Sequence, residues 1–128
     1  MRNNDRALPN RKVCMSMDGG LTWTNPVYDS TLIEPVCQGS LLRYSLSPDL
    51  LLFSNPKHNT KRKNLTLSVS KDSGNTWQKQ ITINAKKSAY NDLVVLPTGD
   101  VLCLFETGKI LPYARIAATI IKQSAIVE

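Results

Sequence analysis

The sequence predicts an all-β fold, and three observations carry that expectation. Short alternating or wholly apolar runs recur along the 128 residues, each bounded by Gly, Pro, Asn or Asp. No segment sustains the apolar spacing of an amphipathic helix. An octet of the form Ser-x-Asp-x-Gly-x-Thr-Trp is written twice, as SMDGGLTW from residue 16 and SKDSGNTW from residue 70, 54 positions further on.

In chain order, strands are expected at Lys12–Ser16, Gly39–Ser45, Leu50–Ser54, Asn64–Ser70, Gln78–Ile83, Asp92–Leu96, Val101–Glu106 and Ala114–Ile121. The clearest is NLTLSVS, residues 64–70, where Leu65, Leu67 and Val69 alternate with Asn64, Thr66, Ser68 and Ser70. Strand side chains point to opposite faces in turn, so the odd positions must meet a core. Leu96-Pro97-Thr98-Gly99-Asp100 separates two apolar runs with turn-forming residues, which reads as a hairpin. The stretch ARIAATIIKQ, residues 114–123, could be helical by propensity, but its β-branched content favours a strand.

The two octets agree at five of eight positions, which marks a repeated unit rather than two chance turns. Eight strands at this spacing fit about two four-stranded propeller blades plus partial strands. A blade cannot bury both faces alone and needs neighbours, so two blades are an incomplete ring. Within the octet, Asp72, Ser73 and Gly74 are turn formers. The Asp accepts from backbone amides, and the Gly takes a positive φ. Ser70 and Thr76 add hydroxyls, and Trp77 lays an apolar face beneath the loop. Ser16, Asp18, Gly20, Thr22 and Trp23 repeat the set. These residues read as structural clasps. The two Asp residues belong to different blades and need not approach each other, so they are not read as a carboxylate pair.

Composition narrows the function. The net charge is +6, with basic residues spread along the chain and one local cluster at Lys57–Lys63. With no interleaved aromatic platform and no reading helix, nucleic acid is not the expected partner. No apolar run approaches the ~20 residues of a membrane-crossing helix. Three distant cysteines, Cys14, Cys37 and Cys103, give neither a disulfide framework nor a zinc spacing. No metal and no cofactor is expected. The N-terminal residues MRNNDRALPNRK carry no signal-peptide core.

Three longer stretches carry a resemblance: IEPVCQGSLLRYS (33–45), LLFSNPKHNTKRKNLTLSVSKDSGNTW (51–77) and SAYNDLVVLPTGDVLCLFE (88–106). Their order is SNP, an Arg before NLT, the octet known as an Asp-box, AYxDL, and an apolar strand closing on Glu. It resembles the C-terminal part of exo-α-sialidases (neuraminidases) over nearly the whole chain. The resemblance implies an incomplete six-bladed β-propeller and hydrolysis of terminal α-linked sialic acids with retention. It also implies sialylated glycoproteins, glycolipids and oligosaccharides as partners; full-length relatives are lysosomal, secreted or periplasmic, and the sequence leaves the compartment open.

Sialic acid carries a carboxylate on its anomeric carbon, and relatives of this kind hold it with three arginines. A guanidinium is always charged, and its planar fork matches a carboxylate bidentately. By resemblance Arg62 is one of the three. Arg2, in MRNNDR, matches another, in a stretch that in the family follows a catalytic Glu. Strand parity would turn Lys61 and Lys63 away from Arg62. Tyr90, in SAYNDL, matches the family's nucleophile. A carboxylate there would be repelled by the sugar's own carboxylate, and a phenol avoids that clash. Sialidases with a Tyr nucleophile are a known exception to the two-carboxylate scheme. Glu106 matches a carboxylate that orients a triad arginine, and Tyr113 could reach the rim. His58 is assigned no role. Asn64-Leu65-Thr66 is a glycosylation sequon, with Asn64 and Thr66 on the face away from Leu65.

The family pattern also needs a further arginine, an acid/base Asp and a Glu that takes the tyrosine's proton. The resemblance places all three before Met1. Neither Asp5 nor Glu34 stands in for them. Acid–base assistance is worth about 10²–10⁴-fold, so little turnover is expected from these residues alone. Two alternatives stay open. One is a non-catalytic binder of sialic acid or anionic glycans that self-associates to complete its ring. The other is an unrelated basic β-domain that holds polyanions through Lys57–Lys63.

Overall fold

A computed structural model describes residue 4 and residues 7–128. Arg2 and Asp5 lie outside the described residues. The strands are β1 (Asn10–Val13), β2 (Val27–Ile33), β3 (Ser40–Ser45), β4 (Leu50–Pro56), β5 (Lys63–Ser70), β6 (Lys79–Val95), β7 (Val101–Thr107) and β8 (Arg115–Ile121). One short helix, α1 (Gln123–Val127), follows. β1 and β2 form a two-stranded sheet, and β3 to β8 form a six-stranded sheet in chain order. Every pairing is antiparallel.

The architecture turns on β6. Its first part pairs with β5, from Val69↔Lys79 to Lys63↔Lys87. Its second part pairs with β7, from Ser88↔Thr107 to Val95↔Val101. One 17-residue strand therefore leaves one partner and takes up the next at Lys87/Ser88, so that it serves two blades. The first blade is β3, β4, β5 and the start of β6; the second is the end of β6, then β7 and β8. The sheet curls as a result, and the all-β, partial-propeller reading holds.

The sequence read the two halves of β6 as separate strands. The residues between them, 84–91, lack the apolar alternation that marks a strand, yet the ladder continues through irregular register on both sides. It also missed β2, because VYDSTLI carries Asp29, Ser30 and Thr31 at its centre and reads as loop. The segment from Arg115 is a strand as expected, and Leu96–Asp100 closes a hairpin: Gly99 has φ 83° and its N–H donates to the Leu96 carbonyl at 2.9 Å.

The core gathers Leu50, Leu52, Leu65, Leu67, Val69, Leu93, Val101, Cys103, Phe105, Ile121 and Ile126. β5 departs from the expectation of one core face, because Thr66, Ser68 and Ser70 are buried as well. In an antiparallel pair, opposed residues share a face. Leu51↔Ser70, Phe53↔Ser68 and Asn55↔Thr66 therefore lie on one side of the blade, and Leu52↔Val69 and Ser54↔Leu67 on the other. The first side meets β1 and β2: Arg11 Cζ stands 5.2 Å from the Phe53 ring centroid, and Asn55 Nδ2 donates to the Ile33 carbonyl at 2.8 Å. The second meets the following blade, where Ser54 donates to Asn91 Oδ1. β5 is the middle of a blade packed on both faces.

Candidate functional site

Both octets sit at hairpin tips, one between β1 and β2, the other between β5 and β6. In the second, Ser70 Oγ donates to Asp72 Oδ1 at 2.7 Å and accepts from Gly74 N–H at 2.9 Å. Asp72 accepts from Thr76 N–H at 2.9 Å and from the Thr76 hydroxyl at 2.5 Å. In the first, Thr22 N–H and hydroxyl meet Asp18 at 2.9 and 2.6 Å, and Gly20 N–H meets Ser16 Oγ at 2.7 Å. Gly20 and Gly74 have φ of 95° and 87°, where a side chain would be strained. These bonds, the Thr22 hydroxyl's foremost, hold the Asp18 carboxyl down at about 2, against an ordinary 3.8. The Thr76 hydroxyl and amide hold Asp72 below the usual carboxylate range in the same way.

The tryptophans differ. Trp77 packs on Phe53 with centroids 5.8 Å apart, and its Nε1 donates to Asp29 Oδ2 on β2 at 3.1 Å. Trp23 folds back on its own loop, donating to the Gly20 carbonyl at 3.0 Å, and stays 60% exposed. The two octets also share a surface that the sequence did not join: Trp23, Ser73, Gly74 and Trp77 line one groove of about 1130 Å³.

Arg62 and Tyr90 come together. Arg62 Cζ lies 5.4 Å from the centroid of the Tyr90 ring, a cation–π distance. Strand parity does not place Arg62, because β5 begins at Lys63. Its loop is instead shaped by His58, whose Nδ1 accepts from Thr60 N–H at 3.1 Å and Lys61 N–H at 3.0 Å. Its carbonyl accepts from Ser88 N–H at 3.0 Å, two residues before Tyr90. His58, given no role from sequence, organises the loop that presents Arg62. Lys57 is part of the same region, with its amine on Gln80 Oε1 at 2.6 Å and its pKa lowered by burial.

Tyr90 sits in a bulge. Between Ser88↔Thr107 and Asn91↔Phe105, two residues of β6, Ala89 and Tyr90, face one of β7, Glu106. Such an extra residue re-aims its side chain, and the Tyr90 ring is 43% exposed while its neighbours Ala89 and Asn91 are buried. Glu106, also on β7, accepts from Tyr90 N–H through Oε2 at 3.2 Å. Tyr113 is exposed at the surface. The sequon is folded into this region: Asn64 has φ 59° and donates to the Lys57 carbonyl at 3.2 Å, while the buried Thr66 hydroxyl donates to the Asn64 carbonyl at 3.0 Å.

Sequence reasoning missed the support under this surface. Arg11 and Glu34 form a buried ion pair at 2.7 Å, and Arg11 Nη2 also donates to the Cys37 carbonyl at 2.9 Å. That pins the loop at 34–39, in which Val36 holds φ 55°, a strained value for a β-branched residue that costs ~1–3 kcal/mol. A lone Arg in NRKV and a Glu in IEPV carry no signal of their pairing.

No disulfide links the three cysteines, and burial raises the Cys103 thiol to about 12. Among the described residues there is no cluster of three or more His, Cys, Asp or Glu suited to a metal, and no helix long and apolar enough to cross a membrane.

Antiparallel blades joined by a shared strand, with Asp-boxes at their hairpin tips, define a propeller-type chain that carries Arg62, Tyr90 and Glu106 on one surface. Comparison with known proteins agrees. The BNR repeat-like domain matches residues 1–103. The chain belongs to that family, in the sialidase superfamily. A sialidase of Micromonospora viridifaciens is 32% identical over 112 residues, 82% of this chain and 17% of that protein. A sialidase of Vibrio cholerae is 31% identical over 125 residues, 88% of this chain and 16% of that protein. The solved structure of the Hadza microbial sialidase Hz136 superposes with a TM-score of 0.79 at 34% identity, over 99% of this chain and 25% of that one. The chain thus spans about a sixth of the length of these curated relatives.

Proposed function

We propose that these residues form part of an exo-α-sialidase centre acting on terminal sialic acids of glycoproteins, glycolipids and oligosaccharides. The observation that carries the reading is the convergence of Arg62 and Tyr90 from different blades. The sialidase names of the relatives support it.

In this reading Arg62 holds the sugar carboxylate, together with Arg2. The Tyr90 oxygen bonds to the anomeric carbon as the bond to the leaving oxygen breaks; the leaving oxygen takes a proton from the family pattern's acid/base Asp, and the phenolic proton passes to its Glu. The tyrosyl–sugar bond is then hydrolysed, so configuration is retained overall. Glu106 holds the Tyr90 backbone and supplies negative charge to orient the arginines. The acid/base Asp and the proton-accepting Glu of the family pattern have no counterpart assigned among these residues, so turnover by residues 1–128 is expected to be weak.

The test pairs binding with turnover. Titration with 3′-sialyllactose should show saturable binding that Arg62→Ala weakens strongly. Any hydrolysis of a fluorogenic sialoside should vanish in Tyr90→Phe. Equal affinity in Arg62→Ala would overturn the reading. Tight binding with no turnover, even in a longer chain that supplies the remaining groups, would mark a non-catalytic binder, which alone or by self-association holds sialylated glycans without cleaving them.

A further inference from the structure

We infer that Gln38 is a positioning residue for Tyr90, acting through the backbone of Asn91; this rests on the reading of Tyr90 as the nucleophile. The bulge that exposes Tyr90 interrupts the β6–β7 ladder between Ser88 and Asn91. An interrupted ladder leaves backbone donors and acceptors that must find other partners. Glu106 supplies one on the β7 side, and Gln38 partners the opposite edge of β6, which β5 has left after Lys87. Glu106 takes the Tyr90 N–H at 3.2 Å. Gln38, reaching over from the loop before β3, accepts from Asn91 N–H through Oε1 at 3.0 Å and donates from Nε2 to the Asn91 carbonyl at 3.0 Å.

That reciprocal pair is what a neighbouring peptide group would make in a regular sheet. A carboxamide sets a donor and an acceptor side by side without a charge, so Gln38 acts as a one-residue strand partner from the preceding blade. Its own position is fixed. Nε2 also donates to the Gly39 carbonyl at 3.1 Å, and Arg11 holds the Cys37 carbonyl just before it at 2.9 Å. Ser40, just after Gly39, donates to Asp92 Oδ1 at 2.6 Å, and Ser54 donates to the Asn91 side chain. The residue following Tyr90 is therefore held from the loop before β3 and from β4, and Tyr90 itself from β7. A reacting oxygen misplaced by ~1 Å can cost about 10²-fold in rate, so a nucleophile on a bulge needs this kind of restraint.

The experiment is NMR on the whole chain with labelled tyrosine and arginine side chains, comparing wild type with Gln38→Leu, Gln38→Glu and Ser54→Ala. In Gln38→Leu, both bonds to Asn91 are lost at similar volume. We expect the ring-current shift that Tyr90 imposes on the Arg62 guanidinium to disappear and amide exchange at Asn91 to rise roughly tenfold or more. The signals of Tyr28, Tyr44 and Tyr113 should stay in place, which separates this from general loosening. Gln38→Glu keeps the acceptor for Asn91 N–H and should restore part of the Arg62 shift. If Gln38→Leu does not fold, Gln38→Glu and Ser54→Ala carry the test with smaller changes in the same direction. An unchanged Arg62 shift in any folded variant lacking the Gln38 amide would overturn the proposal. The functional reading is checked apart from it, in wild type: 3′-sialyllactose must move the Tyr90 and Arg62 signals, and silence there would sink the sialoside reading whatever Gln38→Leu does.

Discussion

The Arg62 guanidinium carbon lies 5.4 Å from the centre of the Tyr90 ring, although the two residues sit on opposite sides of the bend where β6 passes between blades. The Ser88 N–H to Arg62 carbonyl bond at 3.0 Å closes that gap through the backbone. Arg62→Lys separates charge from shape. It keeps a cation and loses both the planar stack and the bidentate fork, so sialoside affinity should fall ~10-fold or more while the fold is kept. Titration calorimetry with 3′-sialyllactose measures it, and a lysine variant with native affinity would mean that only charge matters.

Arg11 and Glu34 are 4% and 1% exposed and join β1 to the loop that carries Gln38. Removing one partner leaves the other charge buried, so Arg11→Ala should cost ~3–5 kcal/mol in urea unfolding. Replacing both residues by apolar side chains should cost far less than the single change.

Gly39 has no room for a side chain. A Cβ there would meet the Ser54 carbonyl oxygen at 2.7 Å and Phe53 Cζ at 2.8 Å. One of these is backbone, so β3 and β4 must separate to accept it. Gly39→Ala should destabilise the chain by ~1–3 kcal/mol and speed amide exchange at Asn91, because Gln38 moves with its neighbour. Native exchange rates at Asn91 would count against this coupling.

The clasps predict an acid limit. Asp18 and Asp72 have carboxyls held below 3.8, Asp18 at about 2, so the folded chain favours their charged forms. A depressed pKa stabilises fully above the unfolded value, and the contribution drains away as pH falls through the folded value. The thermal midpoint should therefore hold steady from neutral pH to about 4 and drop between there and about 2. Thr22→Val with Thr76→Val removes the largest cause of each depression and should flatten that drop. An equally steep acid transition in the double variant would place its origin elsewhere.

Leu67 is wholly buried at the centre of β5, between two neighbours on the ladder. Leu67→Ala should cost ~2–5 kcal/mol in urea unfolding, since both flanking strands resist collapse into the space left. Leu104→Ala, at a half-exposed position of β7, should cost much less.

Local pattern alone determined a good deal about this protein. Alternation in 64–70 marked β5, Pro-Thr-Gly marked the hairpin after β6, and the paired octets marked a repeated blade with Asp-closed tips. These features are short-range: a turn or an alternating strand is encoded within a few residues. Other features were decided only in three dimensions. β2 was hidden because Asp29 reads as loop, yet its carboxylate is where Trp77 finds its partner. The buried polar face of β5, the reach of Gln38 across 53 residues to Asn91, and the pairing of Arg11 with Glu34 depend on which blade lies against which. Such contacts form between segments that share no local code, so they exist only once the sheets are stacked.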